Sequence, residues 1–244
     1  MADLLELTGR AEATHFWFHG FRAYVGPTLE AVAAGRRHLR LLDCGCGTGY
    51  NLSLLKPYGQ VFAFDMARDA MWRARQSGRP LVRADVEHIP FRDGTFDIAT
   101  SFDVLQTVPD DRRAMREIAR VLKSGGHAVL NVTALELMRG DHSDVWGERR
   151  RYTSATAARL VASASLEPVR VAYLFASLLP LMLAVRTGQK LMRFIRQPQG
   201  DADLTVPVAP VNETLTWLVR WEAALARRVP MPFGSSLLIV ARKG

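Results

Sequence analysis

Residues 41–50 read Leu-Leu-Asp-Cys-Gly-Cys-Gly-Thr-Gly-Tyr (LLDCGCGTGY), and this stretch decides the fold. An apolar run at 38–44 leads into it, and a helical pattern at 51–58 follows it. Glycines at alternate positions let the backbone turn tightly and let a ligand approach where a Cβ would collide. A strand, a glycine-rich loop and a helix in this order predict a binding site for a dinucleotide or a related cofactor.

The same alternation of strand and helix patterns continues along the chain. After a helical N-terminal segment to about residue 37, the apolar runs are 61–65, 81–82, 96–102 and 128–132, and the helical patterns are 68–76 and 110–122. Continuous apolar strands between helices predict an α/β protein whose mostly parallel sheet is covered on both faces. The sequence Ser124-Gly125-Gly126 is typical of a helix C-terminal cap.

Four aspartates follow the predicted strands: Asp43, Asp65, Asp85 and Asp103. Because ligands bind at the carboxyl ends of parallel strands, we expect these carboxylates to surround one site.

The two cysteines, Cys44 and Cys46, lie inside the glycine loop. A zinc site needs about four ligands, and no further Cys or His stands at ligand spacing nearby. A redox pair would have the C-x-x-C spacing, which is absent here. We therefore expect no metal, and we expect the loop to act through its backbone.

Composition narrows the class of protein. The chain has 244 residues, 48% of them hydrophobic, and a formal net charge of +8. It is long enough for one domain with an appendage. The arginines are scattered, with the densest cluster at 149–151, and no nucleic-acid-binding module accompanies them, so no nucleic-acid partner is expected. The first residues show no secretory pattern, and a cytoplasmic location is expected.

The glycine loop has two interpretations, as a site for a dinucleotide or for S-adenosylmethionine. A dinucleotide fingerprint places a third Gly or Ala three residues after the second glycine, where this chain has Tyr50. A pyrophosphate would also be repelled by Asp43, whereas the sulfonium and ammonium groups of S-adenosylmethionine would be attracted by it. The loop therefore favours S-adenosylmethionine.

Several motifs together resemble a known family. LLDCGCGTGY, then FAFD, RADVEHIPFRDGTFDIATSFDVL and EIARVLKSGGHAVLNV, are similar in order and spacing to class I S-adenosylmethionine-dependent methyltransferases over residues 39–132. The outer segments HFWF, RRYT and PFGSSLLIVARK resemble a bacterial, type 11-like branch of that family.

The resemblance implies a fold and a division of the chain. The fold is a Rossmann-like, seven-stranded, mostly parallel sheet with helices on both faces and an antiparallel last strand. The division is an N-terminal helical lid at 1–37, a cofactor-binding core at 38–174, a helical cap for acceptor specificity at 175–234 and the final strand at 235–244.

The resemblance also implies a role for each site residue. Around the methionine moiety these are Asp43, Gly45, Cys46, Gly47 and Gly49, with Phe102 and Asp103 closing the pocket. Asp65 would bind the ribose hydroxyls, and Met66, Asp85 and Val86 would contact adenine. Trp17, Phe18 and Arg22 would form a lid, with Arg22 reaching the cofactor carboxylate.

The predicted reaction is in-line methyl transfer to a small-molecule acceptor, to O, N or C. Many relatives carry a Glu-His pair where this chain has Leu105–Val108, so a general base of that kind is missing. His142 and Tyr152, after the fifth strand, are the candidate catalytic residues because loops at the carboxyl rim contact substrates. The arginines at 149–151 are interpreted as a solvated face or as contacts to strand-end carbonyls.

The last third of the chain is expected to set specificity. Residues 171–185 are uncharged, but they are fewer than the roughly 20 that a membrane span requires. Two interpretations remain open for 171–196, where Arg186, Lys190, Arg193 and Arg196 follow the apolar run: a helical cap over the acceptor pocket, or peripheral contact with an anionic membrane. A hydrophobic cap favours an apolar or lipid-like acceptor.

After a loop at 197–210, Asn212 is predicted to cap a helix that carries Trp217 and Trp221. Two other function classes stay open: a relative that binds the cofactor without methyl transfer, such as a cyclase or a regulatory partner, and a peripheral membrane protein. A nicotinamide-dependent dehydrogenase is disfavoured by Asp43 and Tyr50.

Overall fold

A computed structural model describes residues 2–69, 78, 80–192 and 204–244. The strands are β1 (Leu39–Cys44), β2 (Gly59–Asp65), β3 (Leu81–Arg83), β4 (Phe96–Phe102), β5 (Leu122–Thr133), β6 (Leu166–Leu174) and β7 (Ser236–Lys243). The helices are α1 (Ala2–Ala11), α2 (Phe16–Ala33), α3 (Leu52–Leu55), α4 (Asp111–Val121), α5 (Asp141–Val145), α6 (Ser154–Ser163), α7 (Leu179–Met192) and α8 (Ala209–Leu225). Short 3-10 helices follow α3 (Lys56–Tyr58) and β5 (Glu136–Met138).

The strands form one seven-stranded sheet in the order β3-β2-β1-β4-β5-β7-β6. Strands β1 to β5 pair in parallel, and β7 runs antiparallel to both of its neighbours, β5 and β6. The predicted α/β sheet with one antiparallel last strand is confirmed. Asp43 pairs in register with Ala63 on one side and Thr100 on the other, which brings the ends of β1, β2 and β4 together.

Both faces of the sheet are covered, as the uninterrupted apolar strands predict. Leu42 and Phe64 pack in a core that includes buried residues of α4 and α6. Leu41 and Val61 point to the opposite face and pack with residues of α2 and α8. Alternate residues of each strand therefore enter different cores, as the two-residue period of a strand requires.

The predicted helix cap at Ser124-Gly125-Gly126 is wrong. Helix α4 ends at Val121, and β5 begins at once with Leu122, which pairs with Phe96. The next pair joins Ile98 to His127, so β5 has extra residues opposite β4 and the register shifts. The glycines serve this irregularity inside the strand, where Gly125 has a φ of +74°.

Asn212 does not cap its own helix. α8 begins three residues earlier, at Ala209, with Pro210 in its first turn. The Asn212 Oδ1 accepts a hydrogen bond from the Phe16 backbone N–H at 2.9 Å, and its Nδ2 donates to the Thr14 carbonyl at 2.8 Å. Asn212 thus joins α8 to the start of α2, a role that no local pattern predicts.

The apolar run at 171–185 is divided between two elements. Its first four residues end β6, and α7 begins at Leu179 with Pro180 in its first turn. Among the described residues, no helix is both long and apolar enough to cross a membrane. Most of the predicted 68–76 helix, the basic residues Arg193 and Arg196, and the loop positions 197–203 lie outside the described residues.

Candidate functional site

The glycine loop is fixed against the end of β2. The backbone N–H groups of Gly45 and Cys46 both donate to the Phe64 carbonyl, at 2.9 and 3.0 Å. Gly45 has a φ of +81°, and a Cβ at this position would lie 2.4 Å from Cγ2 of Val104. The close approach of Val104 and the left-handed backbone both require glycine here.

Asp65 holds the middle of the loop. Its Oδ2 accepts a hydrogen bond from the Gly47 N–H and its Oδ1 one from the Ala67 N–H, both at 2.8 Å. Gly47 has a φ of +53°, and a Cβ there would meet nothing within 4 Å. The backbone of Gly47 therefore faces open space beside a carboxylate whose position is fixed by two main-chain donors.

Asp43 is a buried carboxylate, with 1% of its surface exposed. Its Oδ1 accepts a hydrogen bond from the Thr100 hydroxyl at 2.7 Å. Desolvation raises the pKa of Asp43 to about 6, with the charge of Asp65 adding to the rise and the Thr100 hydrogen bond opposing it. Among the described residues, no cation forms a salt bridge with Asp43.

Three predicted adenine contacts follow β2 and β3. Met66 is next to Asp65 and is 64% exposed, an unusual state for a large apolar side chain. The Asp85 Oδ1 accepts from the Glu87 N–H at 2.9 Å in a turn closed by a bridge to His88. Val86 is buried in the core and fixes that turn.

The end of β4 contributes Phe102 and Asp103. Phe102 meets the ring of Phe21 edge-on, with ring centroids 5.1 Å apart. Asp103 has a φ of +58°, and its Oδ1 accepts from Asn131 Nδ2 at 2.9 Å and from Gln106 Nε2 at 3.2 Å. A non-glycine residue with positive φ, held by side-chain hydrogen bonds, is a strained position of the kind that accumulates at functional sites.

Helix α2 and the turn before it contact the glycine loop. The Arg22 guanidinium lies over the Tyr50 ring, 4.9 Å from its centroid, and Arg22 Nη1 is buried without a hydrogen-bond partner among the described residues. Glu12 accepts a hydrogen bond from the Thr48 hydroxyl, and desolvation raises the pKa of its carboxyl. Glu12 carries no sequence signal, because a single glutamate near a helix end is ordinary.

Trp17 and Phe18, the predicted lid aromatics, differ in their contacts. Trp17 stacks on Phe175, with centroids 3.9 Å apart and planes 17° apart. Phe18 meets the His15 ring edge-on at 6.3 Å. Trp17 therefore joins the N-terminal segment to the turn after β6, and Phe18 packs locally.

Another buried carboxylate, that of Glu222, was not predicted from the sequence. Glu222 of α8 accepts from the Tyr24 hydroxyl at 2.6 Å, from the N–H groups of Ala176 and Ser177 at 2.7 and 2.8 Å, and from the Ser177 hydroxyl. Four donors from α2 and from the turn 175–178 thus converge on one side chain. We call Glu222 and these donors the Glu222 network.

The two candidate catalytic residues lie in different surroundings. Tyr152 is buried, and its hydroxyl donates to Asp111 Oδ2 at 2.8 Å and lies 3.2 Å from the Leu105 carbonyl. Desolvation and the Asp111 hydrogen bond raise the pKa of Tyr152. These contacts favour a structural role. His142 is on α5, with its ring 5.8 Å from that of Trp146.

The arginine cluster is a set of carbonyl contacts, one of the two interpretations drawn from the sequence. Arg149 donates to the Thr107 carbonyl, and Arg150 donates to three carbonyls between β4 and α4. Arg151 is buried with Glu148 as a salt bridge of 2.9 Å. Arg149 and Arg150 thus fix the chain after β4, at the positions 105–108 that lack a Glu-His pair.

Both cysteines are buried thiols, and desolvation raises the pKa of Cys44 and of Cys46. A raised thiol pKa disfavours the thiolate that metal binding and redox chemistry need. This favours the interpretation that the loop acts through its backbone.

Comparison with known proteins agrees with this geometry. The model of a family described as a methyltransferase domain matches residues 42–130, which span β1 to β5. This segment, well under half of the chain, is similar to a methyltransferase domain, and the sheet around it has a Rossmann-like fold.

Individual relatives and structures extend the comparison. The malonyl-[acyl-carrier protein] O-methyltransferase of Serratia marcescens is 32% identical over 132 residues, covering 51% of this chain and 51% of that protein. The chain spans about a third to a half of the length of the first curated relatives it matches.

Two solved structures share the fold of the domain. An S-adenosylmethionine-dependent methyltransferase from Mesorhizobium loti superposes with a TM-score of 0.58 at 20% identity, covering 89% of this chain and 96% of that one. The [4+2]-cyclase SpnF superposes with a TM-score of 0.57 at 19% identity, covering 91% and 81%. At these identities the likeness shows the fold alone, and one fold serves both methyl transfer and cyclisation in the two named proteins.

Proposed function

We propose that this chain is an S-adenosylmethionine-dependent methyltransferase whose acceptor is a small apolar or lipid-like molecule, with a cytoplasmic location. One observation carries the proposal: two carboxylates, Asp43 and Asp65, flank a glycine backbone that faces open space. The charge of Asp65 raises the pKa of Asp43, and neither carboxylate is neutralised by a salt bridge among the described residues. A cationic cofactor would relieve this repulsion, whereas a pyrophosphate would increase it.

The remaining residues fit that cofactor. Asp65 uses two of its four lone-pair positions on main-chain donors, which leaves acceptor capacity for the two ribose hydroxyls. The exposed side chain of Met66 next to it offers an apolar face to adenine. The partnerless Arg22 Nη1 beside Tyr50 supplies a donor for the cofactor carboxylate.

When bound, the cofactor supplies a methyl group already activated by its positive sulfur. The residues of this chain then need to position the acceptor and exclude water, because alignment provides much of the acceleration of such a displacement.

The Glu12–Thr48 and Trp17–Phe175 contacts support the N-terminal segment 1–37 as a lid over the core 38–174, with 175–234 as the cap and 235–244 as the last strand.

Two features support the proposed class of acceptor. The hydrophobic cap favours an apolar or lipid-like molecule, and the missing Glu-His pair favours an acceptor that needs no general base. An acceptor that is already anionic, such as a carboxylate, needs no general base for methyl transfer. The similar malonyl-[acyl-carrier protein] O-methyltransferase of Serratia marcescens is named for an acid of this type. For an acceptor that must lose a proton, His142 is the proposed base.

The proposal is tested with methyl-labelled S-adenosylmethionine and a panel of medium-chain acids, alcohols and amines. Label in an extracted acceptor, lost in Asp65→Ala, is the expected result. Cofactor binding with no labelled product from any acceptor would instead favour a relative that binds the cofactor without methyl transfer, such as a cyclase or a regulatory partner.

A second candidate function has an observation of its own. Helix α7 exposes Leu181, Val185 and Leu191, with exposed fractions of 54%, 45% and 72%, and Lys190 is an exposed basic residue of the same helix. An apolar helix surface with a basic neighbour favours peripheral contact with an anionic membrane through this part of 171–196. Co-sedimentation with phosphatidylglycerol vesicles that Leu181→Ser and Leu191→Ser abolish would support it, and unchanged sedimentation would contradict it.

A further inference from the structure

A second concavity lies away from the glycine loop. It has a volume of about 840 Å³ and lies between the C-terminal half of α2, the β6–β7 strands and the turn after α8. None of the predicted cofactor-binding residues lines it. Its volume falls within the range of small-molecule sites. We call it the arginine groove.

The groove is strongly basic. Four arginines line it: Arg36, Arg170, Arg227 and Arg242. Glu167 is the only carboxylate among the described residues that line it. In the part of the chain that the structure describes, none of the four guanidiniums takes part in a salt bridge.

Two of the guanidiniums are positioned by backbone carbonyls. Arg36 Nε and Nη2 donate to the carbonyls of Ala33 and Val32 at the end of α2, at 3.2 and 3.3 Å. Arg170 Nη2 donates to the Ala226 carbonyl at 3.0 Å. These hydrogen bonds fix the side chains through neutral acceptors, so they do not cancel the positive charge of the guanidiniums.

The surroundings of His127 show that the electrostatic potential at this end of the groove is positive. It pairs in register with Arg242 across β5 and β7, and its Nδ1 is buried without a hydrogen-bond partner among the described residues. Desolvation, then Arg242 and Arg36, lower the pKa of His127. Positive charge therefore accumulates at this end of the groove.

The floor of the groove is aliphatic. Leu238, Val240 and Arg242 alternate along β7 and line the groove, so the floor changes from apolar to basic toward the end of the strand. Leu238 and Val240 lie at its base, with 2% and 5% of their surfaces exposed. Val169 of β6 lines the same floor and is 57% exposed. An apolar floor that ends in guanidiniums matches a ligand with an aliphatic chain and an anionic head.

We propose that the arginine groove binds a free, single-chain anionic amphiphile, with a carboxylate or phosphate between Arg36 and Arg242 and the aliphatic chain along Val169, above Leu238 and Val240. Arginine binds either anion through charge-assisted hydrogen bonds. The site is independent of the proposed cofactor site, because the two share no lining residue.

The test is calorimetric titration of the full chain at pH 7.5 with decanoate and decyl phosphate, both held below their micellar concentrations. Binding is expected for both anions, not for decanol and not for inorganic phosphate alone. Affinity is expected to rise along hexanoate, octanoate and decanoate, by about two- to fourfold for each methylene buried. Equal affinity for decanol, for inorganic phosphate or for all three chain lengths would overturn the proposal.

A matched pair of variants locates the site. Arg36→Gln with Arg242→Gln is expected to weaken decanoate binding at least about tenfold, since each lost charged hydrogen bond is worth more than 1 kcal/mol. Arg112→Gln with Arg116→Gln removes the same charge from the exposed face of α4 and is expected to change affinity less than twofold. Equal loss in both pairs would show a general charge effect and overturn the site.

Two further readouts distinguish a folded soluble-ligand site from misfolding and from a membrane surface. Binding of S-adenosylhomocysteine is expected to stay unchanged in the groove variant, which reports that the protein is folded and that the two sites are distinct. Phosphatidylglycerol vesicles that bind through Arg36 and Arg242 when the monomeric anions do not would assign the groove to a membrane surface and overturn the proposal.

Discussion

The glycine loop with Asp43 and Asp65, and the Glu222 network, use their carboxylates in opposite ways. Glu222 accepts four hydrogen bonds, two on each oxygen, and so fills its acceptor capacity. Asp43 accepts one strong hydrogen bond from Thr100, and Asp65 accepts two from the backbone. Glu222, with all its acceptor positions used, holds α2, α8 and the turn 175–178 together. Asp43 and Asp65 keep unused acceptor positions that a ligand can occupy.

The two regions also differ in how far apart their partners lie in the sequence. Gly47 and Asp65 are 18 residues apart, within one strand-loop-helix-strand unit. Tyr24 and Glu222 are 198 residues apart. The proposed ligand site is therefore formed by a local motif, whereas the scaffold around Glu222 is assembled only in the folded chain. The following variants test this difference.

The largest expected effect is on the scaffold. Glu222→Leu leaves the Tyr24 hydroxyl and the donors of Ala176 and Ser177 buried without an acceptor, and each such donor costs about 1–3 kcal/mol. We expect the free energy of unfolding to fall by about 3 kcal/mol or more, measured by urea denaturation. Glu213→Leu, on an exposed position of the same helix, is the control with less than about 0.5 kcal/mol. Equal effects of the two substitutions would refute the Glu222 network as a scaffold.

Asp43→Asn is expected to change stability and cofactor binding in opposite directions. Because the folded pKa is raised to about 6, the folded state binds this proton more tightly than the unfolded chain, and the contribution of Asp43 to stability falls as pH rises from about 4 to 6. Above pH 6 we therefore expect the Asn variant to be more stable than the parent protein, by up to about 3 kcal/mol.

The same substitution is expected to weaken binding of S-adenosylmethionine. In the parent protein, affinity should fall by up to about tenfold for each pH unit below 6, as Asp43 becomes protonated. The variant should lack this dependence. A parallel pH profile in both proteins, measured by calorimetry, would show that Asp43 does not act on the cation.

Two glycines of one loop are expected to respond differently. Gly45→Ala places a methyl group against Val104 at a positive φ, and we expect it to lower unfolding free energy by about 1–3 kcal/mol. Val104→Ala should restore part of that loss. Gly47→Ala meets no protein atom, so its stability cost is about 1 kcal/mol, from backbone strain alone, while its methyl enters the ligand space. Cofactor binding unchanged in Gly47→Ala would contradict the proposed site.

The smallest effect concerns the candidate catalytic tyrosine. Tyr152→Phe removes the hydroxyl contacts with Asp111 and Leu105 and should lower stability by about 1 kcal/mol. We expect the rate of methyl transfer to change less than twofold, because the hydroxyl is held in the core. A loss of rate with unchanged cofactor affinity would instead restore Tyr152 as a catalytic residue.

Local signals predicted most of the fold and the rim. The apolar runs predict the parallel strands, because each strand is buried on both faces. The glycine spacing predicts the loop that Asp65 contacts. The family resemblance supplied the antiparallel last strand, which no local pattern distinguishes from a parallel one.

Local patterns failed where distant residues decide the outcome. Ser124-Gly125-Gly126 has the composition of a helix cap, but pairing of Leu122 with Phe96 ends α4 first. Asn212 has a cap residue's chemistry, but it acts on the backbone of Phe16. Glu12, Glu222 and the arginine groove are assembled from separate elements, so the sequence alone gave no sign of them.

The most direct test of the account is calorimetric titration with S-adenosylmethionine, S-adenosylhomocysteine and NADH, on the parent protein and on Asp65→Ala. We predict that both adenosyl compounds bind, that NADH does not, and that the substitution weakens binding about 100-fold or more, since it removes two or more hydrogen bonds to a charged group. Binding of NADH, or adenosyl binding that is unchanged in Asp65→Ala, would contradict the central claim.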